Sequence, residues 1–164
     1  TADSLAGVLP TIRSRCVSFA IAPVSPADCA RYCTAHRVDK KTAALYSELF
    51  DGHIGTVLTA ARDKARTEQV DKAMELARAA QAGDSYTAAV LLAPYEKDKA
   101  GAAALLRDLR AVAAAGLQGS PHAPVQGQQA QRTLRLAEAA IQRLGAQVNP
   151  KIVLTVFAAR LAHA

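Results

Sequence analysis

The sequence contains no tryptophan, and aromatic residues make up only 4% of its 164 residues. Hydrophobic residues nevertheless account for 51% of the chain, and most of them are alanine, leucine and valine. A core built from these side chains favours closely packed helices over a sheet. We therefore predict a mainly α-helical fold, in a chain long enough for one or two small domains.

The sequence also lacks any apolar run near 18 residues, which argues against a membrane-spanning helix. Its three cysteines, Cys16, Cys29 and Cys33, are an odd number and have no histidine partner at metal-ligand spacing. We therefore expect free thiols in a reducing cytoplasm, without a disulfide or a metal site.

No segment forms a basic arm, because the formal net charge of +6 is spread along the chain. This distribution allows a weak attraction to nucleic acid but is not typical of a dedicated DNA-binding domain. A G-x-x-x-x-G-K-[ST] loop is absent as well, so we expect no bound nucleotide or other cofactor in this chain alone.

Three regions follow from the pattern of caps and breakers. Residues 1–24 predict a helix at Ser4–Leu9, a turn and a strand at Val17–Ile21, which is too little to fold alone. The chain begins at Thr1 and shows no targeting signal, so we expect it to be the C-terminal part of a longer protein, truncated within an α/β domain. Residues 25–66 and 67–164 predict two helical regions.

The middle region predicts three helices, with Ser25 and Asp39 as N-caps of the first two. They are Pro26–His36, Lys41–Phe50 and a third from Ile54. Cys29 and Cys33 lie one helical turn apart; a redox pair is one reading, but one turn usually holds two thiols too far apart to bridge. We interpret them as core residues.

The last region predicts five helices, with the proline-bearing loop 118–126 between the third and the fourth. Their predicted ranges are Thr67–Ala82, Tyr86–Ala93, Lys97–Leu117, Gln128–Leu144 and Lys151–Ala162. Leu117 of the third helix, and Ile152 and Val156 of the last, are predicted to face inward.

The segment Pro10–Cys16 (PTIRSRC) places Arg15 just before the predicted strand, between Ser14 and Cys16. The planar, permanently charged guanidinium of an arginine held there suits a phosphate on a neighbouring molecule. From residue types alone, an ordinary surface arginine is the alternative.

This segment closely resembles the Ser-Arg-Cys motif of clamp-loader AAA+ proteins. A second match is the turn Gly52–Leu58, where Gly55 stands at the position of the sensor-2 arginine of hydrolysing subunits. The delta-prime family of bacterial DNA polymerase III departs from arginine at the same place. The last helix, with the run Val148–Leu161, resembles that family more loosely. His53, in the same turn, we interpret as an exposed turn residue.

The resemblance implies the end of an AAA+ α/β module (1–24), a three-helix lid (25–66) and a five-helix collar (67–164). It implies a non-hydrolysing subunit of the polymerase holoenzyme in which Arg15 acts in trans as an arginine finger, supported by Ser14 and Cys16. The neighbouring subunit would bind the ATP. Implied partners are the gamma/tau and delta subunits, the sliding clamp and, through the complex, primer–template DNA, with no membrane.

Two alternatives remain open. One is an ATPase subunit of the gamma/tau type, against which Gly55 argues because it carries no charge. The other is a helical adaptor that binds protein partners and has no link to nucleotide.

Overall fold

A computed structural model describes residues 7–22 and 24–162. All regular structure in these residues is helical, which confirms the predicted mainly α fold. The helices are α1 (Pro10–Arg13), α2 (Pro26–Ala35), α3 (Lys40–Leu49), α4 (Ile54–Arg62), α5 (Lys64–Ala82), α6 (Ser85–Leu92), α7 (Lys99–Leu117), α8 (Gly127–Gly145) and α9 (Pro150–Ala162). Within the described ranges, none of them combines the length and the apolar character needed to cross a membrane.

Aspartate side chains set the start of four helices by accepting hydrogen bonds from N–H groups of the first turn. These N-caps are Asp39 of α3, Asp63 of α5, Asp84 of α6 and Asp98 of α7. Because Asp63 is the cap, α5 begins at Lys64, ahead of the start predicted at Thr67. A single helix, α5, therefore runs across the boundary between the regions predicted at residues 25–66 and 67–164.

The strand predicted at Val17–Ile21 does not form, and no strand occurs in residues 7–22 or 24–162. Val17, Phe19 and Ile21 are 81%, 86% and 93% exposed. A strand requires a second strand to pair with its backbone groups, and the described chain provides none. The helix predicted at Ser4–Leu9 lies mostly outside the described residues.

The helices form two groups that share one hydrophobic core. Helices α2, α3 and α4 pack against one another, while the most extensive contact in the second group joins α7 to α8. Helix α5 packs on α7, α6 packs on α9, and α9 also contacts α8. The two groups meet where α4 contacts α5 and α3 contacts α7.

The inward face of α9 differs from the prediction. Ile152 and Val156 are 59% and 40% exposed, while Val153 and Phe157 are buried as predicted. Leu117, at the end of α7, is likewise 46% exposed. Since α9 carries apolar side chains on all sides, its periodicity does not identify the face that packs inward.

A buried carboxylate joins α7 to α5 within the second group. Asp108 of α7 accepts hydrogen bonds from both terminal nitrogens of Arg66, and Gln69 Nε2 donates a further one at 2.7 Å. The Arg66 guanidinium also lies 5.7 Å from the ring centre of Phe50, which follows α3. The hydrogen bonds to Asp108 raise the pKa of Arg66 above its ordinary value.

We expect Arg66→Ala to lower the free energy of unfolding by about 3 kcal/mol, because it leaves the Asp108 charge buried and unpaired. Chemical denaturation measures this loss. Arg66→Ala combined with Asp108→Ala should cost less than the sum of the two single changes. Arg107→Ala, at an exposed position of α7, serves as the control and should change the free energy by less than about 0.5 kcal/mol. Additive losses in the double variant would contradict the coupling.

Candidate functional site

The Pro10–Cys16 segment forms one helical turn and then a tight reversal. Pro10 opens α1, where its missing N–H group costs nothing. Beyond the helix, the Ser14 amide donates to the Pro10 carbonyl at 3.0 Å and the Arg15 amide to the Ile12 carbonyl at 3.0 Å. The Ser14 hydroxyl donates to the Thr11 carbonyl at 3.2 Å. Arg15 therefore follows a helix end and does not precede a strand.

The side chain of Arg15 projects into solvent. Within residues 7–22 and 24–162 it takes part in no ion pair and no side-chain hydrogen bond. Its neighbours Ser14 and Cys16 are exposed as well. The arrangement leaves the full donor set of one guanidinium open to an external anion.

The second matched segment lies at the start of α4. Gly52 has a φ of +71°, and a Cβ added to it would lie 1.7 Å from the Val24 carbonyl oxygen. The chain leading away from Arg15 therefore touches the α2–α4 group here. In the sequence, the Asp51-Gly52 pair is the signal of a left-handed turn at this place, and nothing in it indicates the approach of Val24. A groove of about 330 Å³ runs along this contact.

Gly55 and His53 border the same groove, together with Ile21 and Ala22. A Cβ added to Gly55 would meet no atom within 4 Å, so a side chain has room at this position. His53 is exposed and its ring does not cap α4. Arg15 is not among the residues that line the groove. The structure thus brings Ile21, Ala22 and Val24, but not Arg15, to the start of α4.

Gly52→Ala and Gly55→Ala form a matched pair. We expect Gly52→Ala to lower the free energy of unfolding by about 2 kcal/mol or more, because its Cβ would collide with backbone and its φ is positive. Gly55→Ala should raise stability by up to about 1 kcal/mol, since alanine favours the helix. Thermal and denaturant unfolding measure both. If both changes altered the free energy of unfolding equally, the contact between Val24 and Gly52 would not be what stabilises this turn.

Cys29 and Cys33 are fully buried free thiols, which confirms their interpretation as core residues, whereas Cys16 is exposed. Burial raises the pKa of the Cys33 thiol from 9.0 to about 11, and the adjacent Cys29 thiol adds to the shift. Among the described residues, no group of three His, Cys, Asp or Glu side chains is placed to hold a metal ion.

Because the raised pKa favours the protonated thiol in the folded state, Cys33 contributes to stability below about pH 9 and loses that contribution as pH rises toward about 11. We expect the free energy of unfolding to fall by up to about 2 kcal/mol across this pH window. The measurement is the unfolding free energy as a function of pH for the wild type and for Cys33→Ala, which should lack this part of the fall. Cys16→Ala is the matched control and should keep it.

Comparisons with protein-family models, with curated proteins and with solved structures found no match to this chain. The sequence motifs and the geometry therefore carry the functional argument by themselves.

Proposed function

We propose that the chain belongs to a non-hydrolysing subunit of the bacterial DNA polymerase III clamp loader, which acts in the cytoplasm to help load the sliding clamp onto primed DNA. The observation that carries this proposal is the exposed Arg15, which has no side-chain partner in the described part of the chain. It lies within the motif that resembles the arginine-finger segment of that family.

In this proposal, Arg15 stabilises the negative charge that develops on the phosphoryl group during ATP hydrolysis. As a phosphoryl group leaves ATP on the neighbouring subunit, negative charge spreads over its oxygens, and a guanidinium placed there in trans raises the rate by about 10³–10⁵ in comparable enzymes. The turn formed by Ser14 and Ile12 limits the backbone freedom of Arg15. Ser14 and Cys16, both small, leave space around the guanidinium for an approaching subunit.

Gly55 supports the non-hydrolysing assignment. The space around it admits a side chain, so steric crowding does not explain the absence of an arginine there. With no side chain, this position supplies no charge to a nucleotide bound on the same subunit. The gamma/tau alternative needs such a charge and is therefore less favoured.

The helical groups fit the roles of lid and collar in this proposal. Helices α2–α4 would be the lid, and α5–α9 would be the five-helix collar that joins other subunits. The exposed Val17, Phe19 and Ile21 are the residues that an upstream α/β domain would cover. In such a complex the chain binds no cofactor of its own and the neighbouring subunit holds the ATP.

A helical adaptor without any link to nucleotide is the second candidate. The exposed apolar residues on α6 and α9, which include Tyr86 and Ile152, favour it. An adaptor requires no role for Arg15, so the same experiment separates the two functions.

The test reconstitutes the protein that contains this chain with its ATPase and delta partners, sliding clamp and primed DNA. We expect Arg15→Ala to lower the ATP turnover of the neighbouring site by about 10³-fold and to leave assembly, measured by size-exclusion chromatography, unchanged. Arg15→Lys should recover only part of the rate, because an ammonium lacks the planar fork.

Arg13→Ala is the matched control, since Arg13 is an exposed arginine at the end of α1. It should retain wild-type turnover. Normal turnover in Arg15→Ala would exclude the arginine-finger function and favour the adaptor. Loss of assembly would make Arg15 a structural residue.

A further inference from the structure

The net positive charge of the chain is concentrated in its last three helices. Residues 99–164, which contain α7, α8 and α9, hold eight lysines and arginines and only two acidic residues. Residues 1–98 hold twelve basic and twelve acidic residues, so the whole net charge of +6 comes from 99–164. A division of the chain at residue 67 conceals this imbalance, because residues 67–98 are net acidic. Counted helix by helix, the charge is not evenly spread.

The two acidic residues of this part do not neutralise it. Asp108 is already paired with Arg66 of α5. Glu138 borders a groove between α7 and α8 that Arg110 also lines. Within the described ranges, none of the six arginines of α7–α9 takes part in an ion pair. These are Arg107, Arg110, Arg132, Arg135, Arg143 and Arg160.

Three of these arginines lie on the outward face of α8. Arg132, Arg135 and Arg143 fall within about 80° of one another around the helix axis and cover about 16 Å of its length. Arg135 and Arg143 are exposed and Arg132 is half-buried. The buried residues of α8 lie on the opposite side: Ala130, Thr133, Ala137, Ala140 and Leu144. We call Arg132, Arg135 and Arg143 the α8 arginine row.

A groove of about 470 Å³ lies beside Arg132 and Arg135. Within the described residues no carboxylate lines it, and the other lining residues are Gln128, Gln129, Gln131 and Leu136. Arg132 Nη2 also donates to the Arg160 carbonyl at 2.8 Å, which brings the last turn of α9 to this end of the row. An anion in the groove would therefore meet guanidinium and amide donors and no repelling charge.

The composition of this surface fits a nucleic-acid backbone better than a protein or a membrane. Protein interfaces are centred on apolar or aromatic anchors, whereas the only apolar residue that lines this groove is the half-buried Leu136. A helix that binds a membrane inserts its apolar face, but the apolar face of α8 is buried in the bundle. Protein–DNA interfaces are polar and strongly positive, and arginine and glutamine side chains contact phosphates in them.

The same surface favours duplex DNA over other nucleic acids. Single strands are bound by aromatic side chains on which the bases stack, and α8 contains no aromatic residue. A straight α-helix suits the major groove of B-form DNA, whereas the major groove of A-form RNA is too narrow for side chains to read. Duplex DNA carries one negative charge per about 1.7 Å of its axis, so a row of this length faces several phosphates.

We propose that the α8 arginine row binds the phosphate backbone of double-stranded DNA without sequence specificity. The contact does not involve Arg15, and the chain makes it without an ATPase partner. It therefore stands independently of the proposed function, and either one can fail while the other holds.

The test is fluorescence anisotropy of a short labelled DNA duplex titrated with the chain at several salt concentrations. We expect a dissociation constant of about 10⁻⁴–10⁻⁶ M, the range of non-specific DNA binding. The logarithm of the binding constant should fall with the logarithm of salt concentration with a slope of about −3, because three arginines each displace counterions from one phosphate.

Two matched double variants separate the row from net charge. Arg135→Ala with Arg143→Ala leaves Arg132, which also contacts α9, in place. It should weaken binding by about tenfold or more and make the salt slope shallower by about 2. Arg13→Ala with Arg78→Ala removes the same charge from exposed positions on α1 and α5 and should change affinity by less than about twofold. Circular dichroism should be unchanged in both, since all four positions are exposed.

Three results would overturn the proposal. The first is the absence of binding up to about 0.1 mM chain at low salt. The second is an equal loss in the two double variants, which would assign binding to net charge alone. The third is tighter binding to single-stranded DNA, to an RNA duplex or to phosphatidylserine vesicles than to the DNA duplex, which would identify a different anion as the partner.

Discussion

The ion pair between Arg66 and Asp108 holds α5 against α7, and the packing of the α5–α9 group depends on it. A carboxylate inside the apolar face of α7 costs several kcal/mol unless hydrogen bonds and an opposite charge compensate it. Arg66 supplies both, and its position beside Phe50 joins α3 to the same place. Helix α5, which carries Arg66, also packs on α4, and this is one of the places where the α2–α4 group meets the α5–α9 group.

The segment that bears Arg15 reaches the α2–α4 group through a close backbone approach. The Val24 carbonyl lies against Gly52, and Ile21, Ala22 and Val24 border the start of α4. Residues 10–22 are otherwise exposed in the described part of the chain. The segment that bears the proposed finger therefore meets the α2–α4 group at Gly52, a contact that does not involve Arg15.

The proposed function rests on the motif at Pro10–Cys16 and on the exposed position of the Arg15 side chain. The motif suggests a phosphate contact in trans, and the open guanidinium is compatible with that role. In this proposal, Gly55 stands without a charge at the position where a hydrolysing subunit carries its arginine. The exposed row at Val17, Phe19 and Ile21 has the alternation of a strand without a partner strand.

The sequence by itself determined the helical content, because caps such as Asp39 and Asp84 and the helix break at Gly83 act locally. The motif that contains Arg15 is likewise read without tertiary information, and the role of Arg15 stays a prediction. The tertiary structure alone decided the inward face of α9, the pairing of Arg66 with Asp108 and the approach of Val24 to Gly52. These depend on contacts between residues distant in the chain. Because α9 carries apolar side chains on all sides, it has no periodic signal that could identify its inward face.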